Sequence, residues 1–238
     1  ATVVVRDTLA TDTADEIAAG DEVQLAGRTV ATVENVTQFE TRNPDRNRVF
    51  LTATLQTHRQ GGERRFGGSS VRRGQSVLLS TSEYTVNGNI ERVGAGLTFD
   101  GTTVVLRDTL DTADANEVTP GDEIRVGNEQ VATIEDVTQF ATNDPTQRRV
   151  FVSATLQTYR QDSSQRFGDV PVRPGQTILL STDEYQLSGS IERVGDNLQL
   201  GSPSTRTVTL RMDDVREDMV DALAVGMTER AGSNTVAR

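Results

Sequence analysis

The sequence lacks cysteine, tryptophan and lysine, and it contains a single histidine, so that all 24 of its cationic positions are arginine. Without cysteine there can be no disulfide framework, no thiolate zinc site and no cysteine nucleophile. One histidine also excludes a His-rich metal site. Aromatic residues make up only 4% of the 238 positions. These absences remove several common metal and nucleophile chemistries.

Cations are outnumbered by the 35 aspartate and glutamate residues, which gives a formal charge of −11 and a pI near 4.6. Nucleic-acid backbone binding depends on cation contacts and counterion release, so this balance argues against it. The acidic, lysine-free composition indicates adaptation to concentrated salt. There the net charge is tolerable, because salt screens charge repulsion within about 3 Å at 1 M. The alternative is an ordinary acidic protein from a GC-rich genome, in which arginine codons displace lysine codons.

Long apolar runs are also absent. No stretch approaches the roughly 18 residues of a membrane-spanning helix, and no charged segment followed by an apolar one indicates a signal peptide. The chain begins at Ala1 and stops at Arg238 in the middle of a repeating pattern. We therefore expect a fragment, with any membrane anchor in a segment absent from this chain.

The strongest positive signal is an internal duplication. A shift of 101 positions aligns residues 1–100 with 102–201 without gaps, and about half of the aligned positions are identical, so that the two repeats are predicted at 1–100 and 101–201. The matched pairs include Arg6 with Arg107, Gly20 with Gly121, Phe39 with Phe140, Pro44 with Pro145, Phe66 with Phe167, Tyr84 with Tyr185, and Gly94 with Gly195. This period is too long for solenoid or propeller units and matches a complete small domain. The two copies should fold alike and lie in series.

A third copy begins after a short linker, Gly201-Ser202-Pro203-Ser204. Val208 to Arg211 matches Val104 to Arg107 at three of four positions, and Gly226 takes the place of Gly121. Residues 206–238 should therefore form a truncated third repeat consisting of a strand, a helix and the start of a hairpin. A unit of this length cannot bury a full core, so we expect the natural chain to continue.

Within each copy the hydrophobic period is mostly two, which is typical of half-buried strands. Strands are predicted at 3–6, 49–57, 76–81 and 84–93, all rich in Val, Leu, Thr and Tyr. A hairpin is predicted from Glu22–Leu25 and Thr29–Val33 around an Ala26-Gly27-Arg28 turn, with Gly127-Asn128 in the second copy. Pro44 and Pro145 should lie in loops.

One short helix is predicted at residues 13–18, where Thr13 and Glu16 have the spacing of a capping box. The second copy has Asp114 and Glu117 at that spacing, and the third has an apolar stripe at Val215, Met219 and Leu223. Each helix should end at a glycine, namely Gly20, Gly121 or Gly226. The fold class is therefore mainly β: tandem small β-barrels, each with one short α-helix, plus the start of a third copy.

The order of these motifs resembles a known family. Gly-Asp-Glu-Val/Ile, a hairpin, and Val-Ala-Thr-Val/Ile-Glu are followed by Pro/Arg-Gly-Gln, Thr-x-Glu-Tyr and Gly-x-Ile-Glu-Arg-Val. This pattern is similar to the family catalogued as domain of unknown function 4330, which includes haloarchaeal proteins with an N-terminal membrane helix before an outward-facing β-rich region. The resemblance implies membrane anchoring and no assigned activity.

A second resemblance is to the MCE domain of lipid-trafficking proteins. There a helix leads to a Gly-Asp turn, a strand and a glycine-containing hairpin followed by Val-Gly-x-Val. Residues 17–23 and 27–33 follow that order, with Ala31 where the glycine would be. This departure weakens the match, which would imply lipid binding.

Two sets of residues are candidates for chemistry. His58 is the only imidazole, but the second copy places Tyr159 there, and both side chains suit an amphipathic strand end. No Ser-His-Asp set can be assembled in the second copy. Carboxylates cluster around each helix and could hold Ca²⁺, although they lack the calcium-loop spacing and could simply complement the helix dipole. The calcium candidates are Asp12, Asp15, Asp21, Asp111, Asp114 and Asp122.

The remaining motifs are weaker indications of function. The arginine pairs 64–65, 72–73 and 148–149 are interpreted as solvated ion-pair partners, and the glycines at 67–68 and 94–96 as turn residues. Asn35-Val36-Thr37 is an N-glycosylation sequon whose occupancy would place this segment outside the cell. Paired carboxylates for glycoside hydrolysis need a cleft and a raised pKa, and neither can be read from sequence.

We therefore expect no enzyme, no catalytic residue, no cofactor and no nucleic-acid partner. The predicted function is an extracytoplasmic scaffold or partner-binding region of a membrane-anchored halophile envelope protein, with protein partners at the envelope. A lipid-binding or small-ligand-binding barrel is the alternative, and a hydrolase is third.

Overall fold

The structure is a computed structural model that describes residues 1–196, 207–209, 211, 213–216, 220–221, 224–231 and 234–237. It is mainly β, which confirms the predicted fold class. The elements of the first repeat are β1 (Thr2–Ala10), α1 (Thr11–Asp15), β2 (Glu22–Leu25), β3 (Arg28–Glu40), β4 (Arg46–Leu55), β5 (His58–Gln60), β6 (Glu63–Phe66), β7 (Ser69–Ser70), β8 (Ser76–Ser80) and β9 (Thr85–Val93).

Six of these strands form one antiparallel sheet in the order β2-β3-β4-β1-β9-β8. The sheet curls, because its two edge strands, β2 and β8, approach each other. Two bulges bend the sheet, one between Val33 and Asn35 of β3 and one at Glu91 of β9, opposite Val4 and Val5 of β1. Strands β5, β6 and β7 form a separate small sheet. The first repeat is therefore a half-barrel with a small sheet beside it.

The second repeat reproduces this arrangement. Its elements are β10 (Phe99–Asp111), α2 (Thr112–Glu117), β11 (Glu123–Val126), β12 (Glu129–Ala141), β13 (Gln147–Gln161), β14 (Ser164–Phe167), β15 (Val170–Pro171), β16 (Thr177–Ser181) and β17 (Gln186–Val194). The strand order is β11-β12-β13-β10-β17-β16, and the equivalent bulges lie at Ile134/Asp136 and Val105/Leu106. The first repeat has two separate strands, β4 and β5, where the second repeat has the single long strand β13. The far end of β13 is paired, because Tyr159 lies opposite Phe99 at the start of β10.

Of the third repeat, the structure describes a hairpin of β18 (Glu229–Ala231) and β19 (Asn234–Ala237). These strands correspond in sequence to β11 and the start of β12. The predicted apolar stripe falls largely outside the described residues, since Met219 and Leu223 are not among them, and Val215 is not in a helix. The linker at 201–204 also lies outside the described residues.

The predicted strands and hairpin are confirmed, but the helix prediction was wrong in position. The first helix begins at Thr11 and ends at Asp15, and neither its N-cap Ala10 nor Asp111 of the second repeat makes a side-chain capping bond. Thr13 and Glu16 therefore form no capping box. Each helix is instead fixed by the sheet, because the buried Gln38 amide donates to the Ala14 carbonyl at 2.8 Å and Gln139 bonds Ala115 in the same way.

Gly20 and Gly121 are not helix caps either. Both have φ of +98°, so each does take the left-handed conformation that favours glycine. They lie several residues beyond the helix ends, in the turn that leads into β2 or β11. There the Gly20 amide donates to the Val33 carbonyl at 2.8 Å, and Gly121 donates to Ile134 at the same distance.

Each repeat has its own apolar core. In the first, Val5, Leu51 and Leu79 are each no more than 1% exposed and pack inside the curl of the sheet. The core of the second repeat is larger, because it also takes in three side chains of the first: Val4, Phe39 and Phe50. The two half-barrels are thus separate in their sheets but joined in their cores.

In the part of the chain that the structure describes, no helix is long and apolar enough to cross a membrane.

Candidate functional site at the junction of the repeats

The most distinctive site is an aromatic cluster where the repeats meet. Phe39 is 1% exposed, and its ring lies 5.9 Å from Phe50 and 5.1 Å from Phe167, edge to face in both cases. Phe99, at the start of β10, and Tyr159 of the second repeat complete the cluster. Five of the ten aromatic residues in the chain therefore lie here. In a protein so poor in aromatics, this makes the junction the main place where large rings are buried.

At the junction, the backbone of the second repeat at Gly168 lies close to the Phe39 side chain of the first. Gly168 has φ of +54°, and a methyl group at its Cβ position would lie 3.1 Å from Cβ of Phe39. At the equivalent Gly67 of the first repeat, no atom of the described residues lies within 4 Å of that position. The Tyr159 hydroxyl donates to the Gly168 carbonyl at 2.8 Å, which holds the loop against Phe39.

Charged groups surround the aromatic cluster. Asp169 of the second repeat accepts from Arg6 and Arg48 of the first. Arg6 also pairs with Glu91 at 2.9 Å, and the same Glu91 accepts from Gln161 of the second repeat at 2.9 Å. These groups lie at the rim, where an exposed ion pair contributes little to stability but fixes orientation.

A second polar contact lies at the other side of the junction. Arg73 holds both carboxylate oxygens of Asp162, at 2.8 and 3.1 Å. The hydrogen bond from Arg73 keeps the pKa of Asp162 below its usual value. The Arg92 guanidinium also donates to the Arg160 carbonyl at 3.0 Å. An apolar centre with a polar rim is the usual anatomy of a specific protein interface.

Two grooves flank the junction. The larger, of about 870 Å³, is lined by residues of both repeats, among them Phe39, Glu40, Arg48 and Phe167. Burial raises the pKa of Glu40 above its usual value. The smaller, of about 470 Å³, contains Arg73, Glu91 and Tyr159. Both grooves exist only because the repeats are stacked.

His58 and Tyr159, which share one repeat position, have different surroundings. His58 is exposed at the start of β5 and pairs with Arg65 in the small sheet. Tyr159 is 3% exposed, and its ring lies 5.1 Å from that of Phe50. Burial raises the pKa of Tyr159 to about 12. The second copy thus uses this position to bind the first.

The acidic residues around the helices do not form one site. Asp12, Asp15 and Asp111 are exposed, and Asp114 is half-buried. Within the described ranges, no group of three or more His, Asp or Glu side chains is arranged so that it could hold a metal ion. The calcium candidates are therefore scattered rather than convergent.

Asp21 and Asp122 have a structural task instead. Asp21 accepts from the Ala18 amide at 2.9 Å and from the Tyr84 hydroxyl at 2.7 Å. Asp122 accepts equivalently from Thr119 and from Tyr185, the latter at 2.8 Å. Burial pushes the pKa of Asp122 up, but the hydrogen bonds from Thr119 and Tyr185 outweigh it and bring the pKa below its usual value. The Gly-Asp-Glu and Thr-x-Glu-Tyr motifs are therefore the two ends of one tie across each half-barrel.

These ties predict the alkaline titration of the protein. Burial first, and then the neighbouring carboxylate, raise the pKa of Tyr84 and Tyr185, so all three tyrosines have a raised pKa. A folded pKa above the unfolded one means that the stabilisation is complete below about pH 10 and is lost as the pH rises through the folded pKa. We expect no tyrosinate absorbance at 295 nm until the pH exceeds 10 and the protein begins to unfold. A tyrosine that ionises near pH 10 in the folded protein would contradict this.

The remaining sequence motifs lie on the surface. Asn35 is exposed at the bulge of β3, where it pairs with Thr52, while Thr37 of the sequon is buried. Arg65 donates to the Gly68 carbonyl at 3.1 Å. Arg64, Arg72 and Arg149 are exposed, and Arg148 is half-buried.

The sequence analysis missed the junction residues Phe39, Phe50, Phe99, Phe167 and Asp169. Positions at which the two copies differ in character could have indicated Asp169, but Phe39, Phe50 and Phe167 are phenylalanine in both copies and give no such signal. Tyr159 replaces His58, Asp169 replaces Gly68 and Asp162 replaces Gly61, and all three second-repeat residues bond or pack at the junction.

Comparison of the chain with family models, curated proteins and solved structures finds no match. The resemblances to domain of unknown function 4330 and to the MCE domain therefore stay predictions from sequence.

Proposed function

We propose that this chain is a non-catalytic, tandem-repeat scaffold that sets the spacing and orientation of successive half-barrels and of any partners they carry. One observation carries this proposal. The second copy differs from the first at Tyr159, Asp162 and Asp169, and each of these side chains is used to contact the first copy. These three differences between the repeats thus serve stacking.

The chemistry of the ionisable groups supports a structural role. The Tyr84 and Tyr185 phenols have a raised pKa, so both stay protonated at neutral pH and act as hydrogen-bond donors to Asp21 and Asp122. A general base needs instead a pKa near the working pH, so that it can accept and release a proton. His58 is the one imidazole, and its exposed position is filled by a buried tyrosine in the second copy.

The proposed setting is the outer side of a halophile membrane, with the anchor in a segment outside this chain. The charge of −11 without any lysine supports it, because concentrated salt screens the self-repulsion. We expect the melting temperature to rise from dilute buffer to molar KCl. A melting temperature that does not rise would remove the halophile part of the proposal. A glycan on the exposed Asn35 of natively expressed protein, found by intact mass, would support the extracytoplasmic part.

The scaffold itself is tested by small-angle X-ray scattering together with native mass spectrometry. We expect a monomer whose scattering fits the stacked arrangement of residues 1–196, with no small molecule bound. Scattering that requires two independently tumbling repeats would contradict the scaffold, because the spacing would then not be fixed.

A ligand-binding module is the second candidate, and the groove of about 870 Å³ at the junction is the observation that favours it. Its volume lies within the range of small-molecule sites, and its lining combines Phe39 and Phe167 with Arg42 and Arg48. A lipid or other small molecule that is retained through purification and lost in the Phe167→Ala variant would favour this candidate over the scaffold.

A further inference from the structure

The second repeat carries an exposed copy of the surface on which it sits. Phe140 and Phe151, which we call the distal aromatic face, are the counterparts of Phe39 and Phe50. Their rings lie 5.9 Å apart at an interplanar angle of 88°, and the Phe39–Phe50 pair has the same two values. The difference is burial, because Phe39 is 1% exposed and Phe140 is 42% exposed. The face is thus preformed and uncovered.

The polar rim of the junction is repeated beside this face. Arg107 pairs with Glu192 at 2.9 Å, as Arg6 pairs with Glu91 at 2.9 Å in the first repeat. The side chains are more exposed in the second repeat, 48% for Arg107 against 29% for Arg6. Arg149 stands where Arg48 stands in the first repeat, and its side chain is exposed. Arg6 and Arg48, which donate to the Asp169 carboxylate at the observed junction, therefore have counterparts at the next position in the series.

The start of the third repeat already lies at this end of the molecule. The β11 strand of the second repeat contacts β3 of the first, and β18 of the third repeat contacts β12 of the second. Since β18 corresponds to β11 and β12 corresponds to β3, the two contacts join equivalent pairs of strands. The same step from one repeat to the next is thus seen twice.

We propose that the distal aromatic face binds a complete third repeat of the same kind, stacked on the second repeat in the orientation that the second takes on the first. This inference rests on the proposed scaffold function and specifies how the scaffold extends. The contact is heterologous, because the surface used on one repeat differs from the surface used on the next, and such contacts extend a series instead of closing a dimer. A matching third repeat would present an aromatic ring at the position of Phe167, glycine at that of Gly168 and a carboxylate at that of Asp169.

The experiment completes the third repeat in the full chain. Arg238 aligns with Thr133, so residues 134–201 of the same sequence are appended after Arg238. Phe140→Ala is then made in both the 238-residue chain and the extended chain, and the unfolding equilibrium constant is measured in urea with molar KCl. We expect Phe140→Ala to raise that constant by less than about fivefold in the 238-residue chain, and by a hundredfold or more in the extended chain, as for a buried phenylalanine.

Phe39→Ala is the matched control, because its ring is buried in both chains and its cost should be the same in both. A small effect of Phe140→Ala in both chains would overturn the inference. Self-association of the 238-residue chain that rises with concentration and disappears in Phe140→Ala, seen by sedimentation, would also overturn it, since the occupant would then be a second copy. If the appended segment fails to fold, a second version with residues 103–201 in place of 207–238 decides by the same comparison.

These outcomes are separate from a failure of the scaffold proposal. If scattering shows the first two repeats rigidly stacked while Phe140→Ala stays mild in the extended chain, the scaffold stands and only the stacking of the third repeat falls.

Discussion

Replacing Phe39 with alanine is expected to lower the free energy of unfolding by about 3 kcal/mol or more. The ring is 1% exposed and lies in the core of the second repeat, although it belongs to the first. Its removal leaves a cavity between Phe50, Phe99 and Phe167, which are held on separate strands and cannot easily collapse onto each other. Because this energy couples the repeats, urea unfolding of the variant should also separate into two transitions.

The repeat supplies a control at the equivalent position. Phe140→Ala removes the same ring from the same strand position, but the side chain is 42% exposed, so we expect a loss under about 1 kcal/mol. Equal losses for the two variants would show that the ring stabilises its own sheet and that the junction contributes nothing. Circular dichroism in urea, with molar KCl present, measures both.

Gly88→Ala is expected to be the second most damaging change, with a loss of about 3 kcal/mol. Gly88 lies in β9 directly before Asn89, which is in antiparallel register with Arg6 of β1. A Cβ there would lie 2.5 Å from Cγ1 of Val5 and 2.6 Å from the Arg6 carbonyl oxygen. The carbonyl belongs to the backbone of β1, so relief of the clash requires the two paired strands to move apart.

Alanine substitutions at two other glycines provide a comparison for the loss of stability expected at Gly88. At Gly189, the counterpart in the second repeat, the nearest atom would be Cβ of Leu106 at 2.8 Å, so the cost should be large but smaller than at Gly88. At Gly101 a Cβ would meet only a Thr155 methyl group at 3.2 Å, and we expect a change near zero. If the Gly88→Ala variant had the same melting temperature as the unsubstituted protein, β1 and β9 could move apart without a cost in folding free energy.

The sequence predicts the sheets well because their signals are local. Alternating Val, Leu and Thr residues mark β4 and β8, and the Ala26-Gly27 turn places β2 against β3. Duplication adds to this, since a pattern found twice at a spacing of 101 is a far stronger signal than one found once. The half-barrel of each copy follows from these patterns together.

The helices could not be placed by the same reasoning, because tertiary contacts decide where they end. Thr13 and Glu16 have the capping spacing, yet the helix begins two residues before Thr13, at Thr11. Its end is set by the buried Gln38, which bonds the Ala14 carbonyl from a strand 24 positions away. A local propensity rule contains no information about that contact.

The junction was invisible for a different reason. Phe39 and Phe140 occupy identical sequence positions, yet one is buried and the other is not, so the residue alone cannot report its surroundings. What separates them is whether another repeat follows in contact. At Asp21 and Asp122 the sequence suggested a site that the structure does not form. These carboxylates were candidate calcium ligands, and in the structure they accept hydrogen bonds from Tyr84 and Tyr185.

We expect the junction to hold the two repeats in one fixed orientation. Glu83 and its counterpart Glu184 are exposed turn residues, and the chain has no native cysteine, so both can be changed to cysteine and spin-labelled without competing sites. Pulsed electron paramagnetic resonance then measures the distance between the labels in molar KCl. We predict a single narrow distance distribution that broadens when Phe39→Ala is added. A broad distribution in the protein that retains Phe39 would contradict the claim.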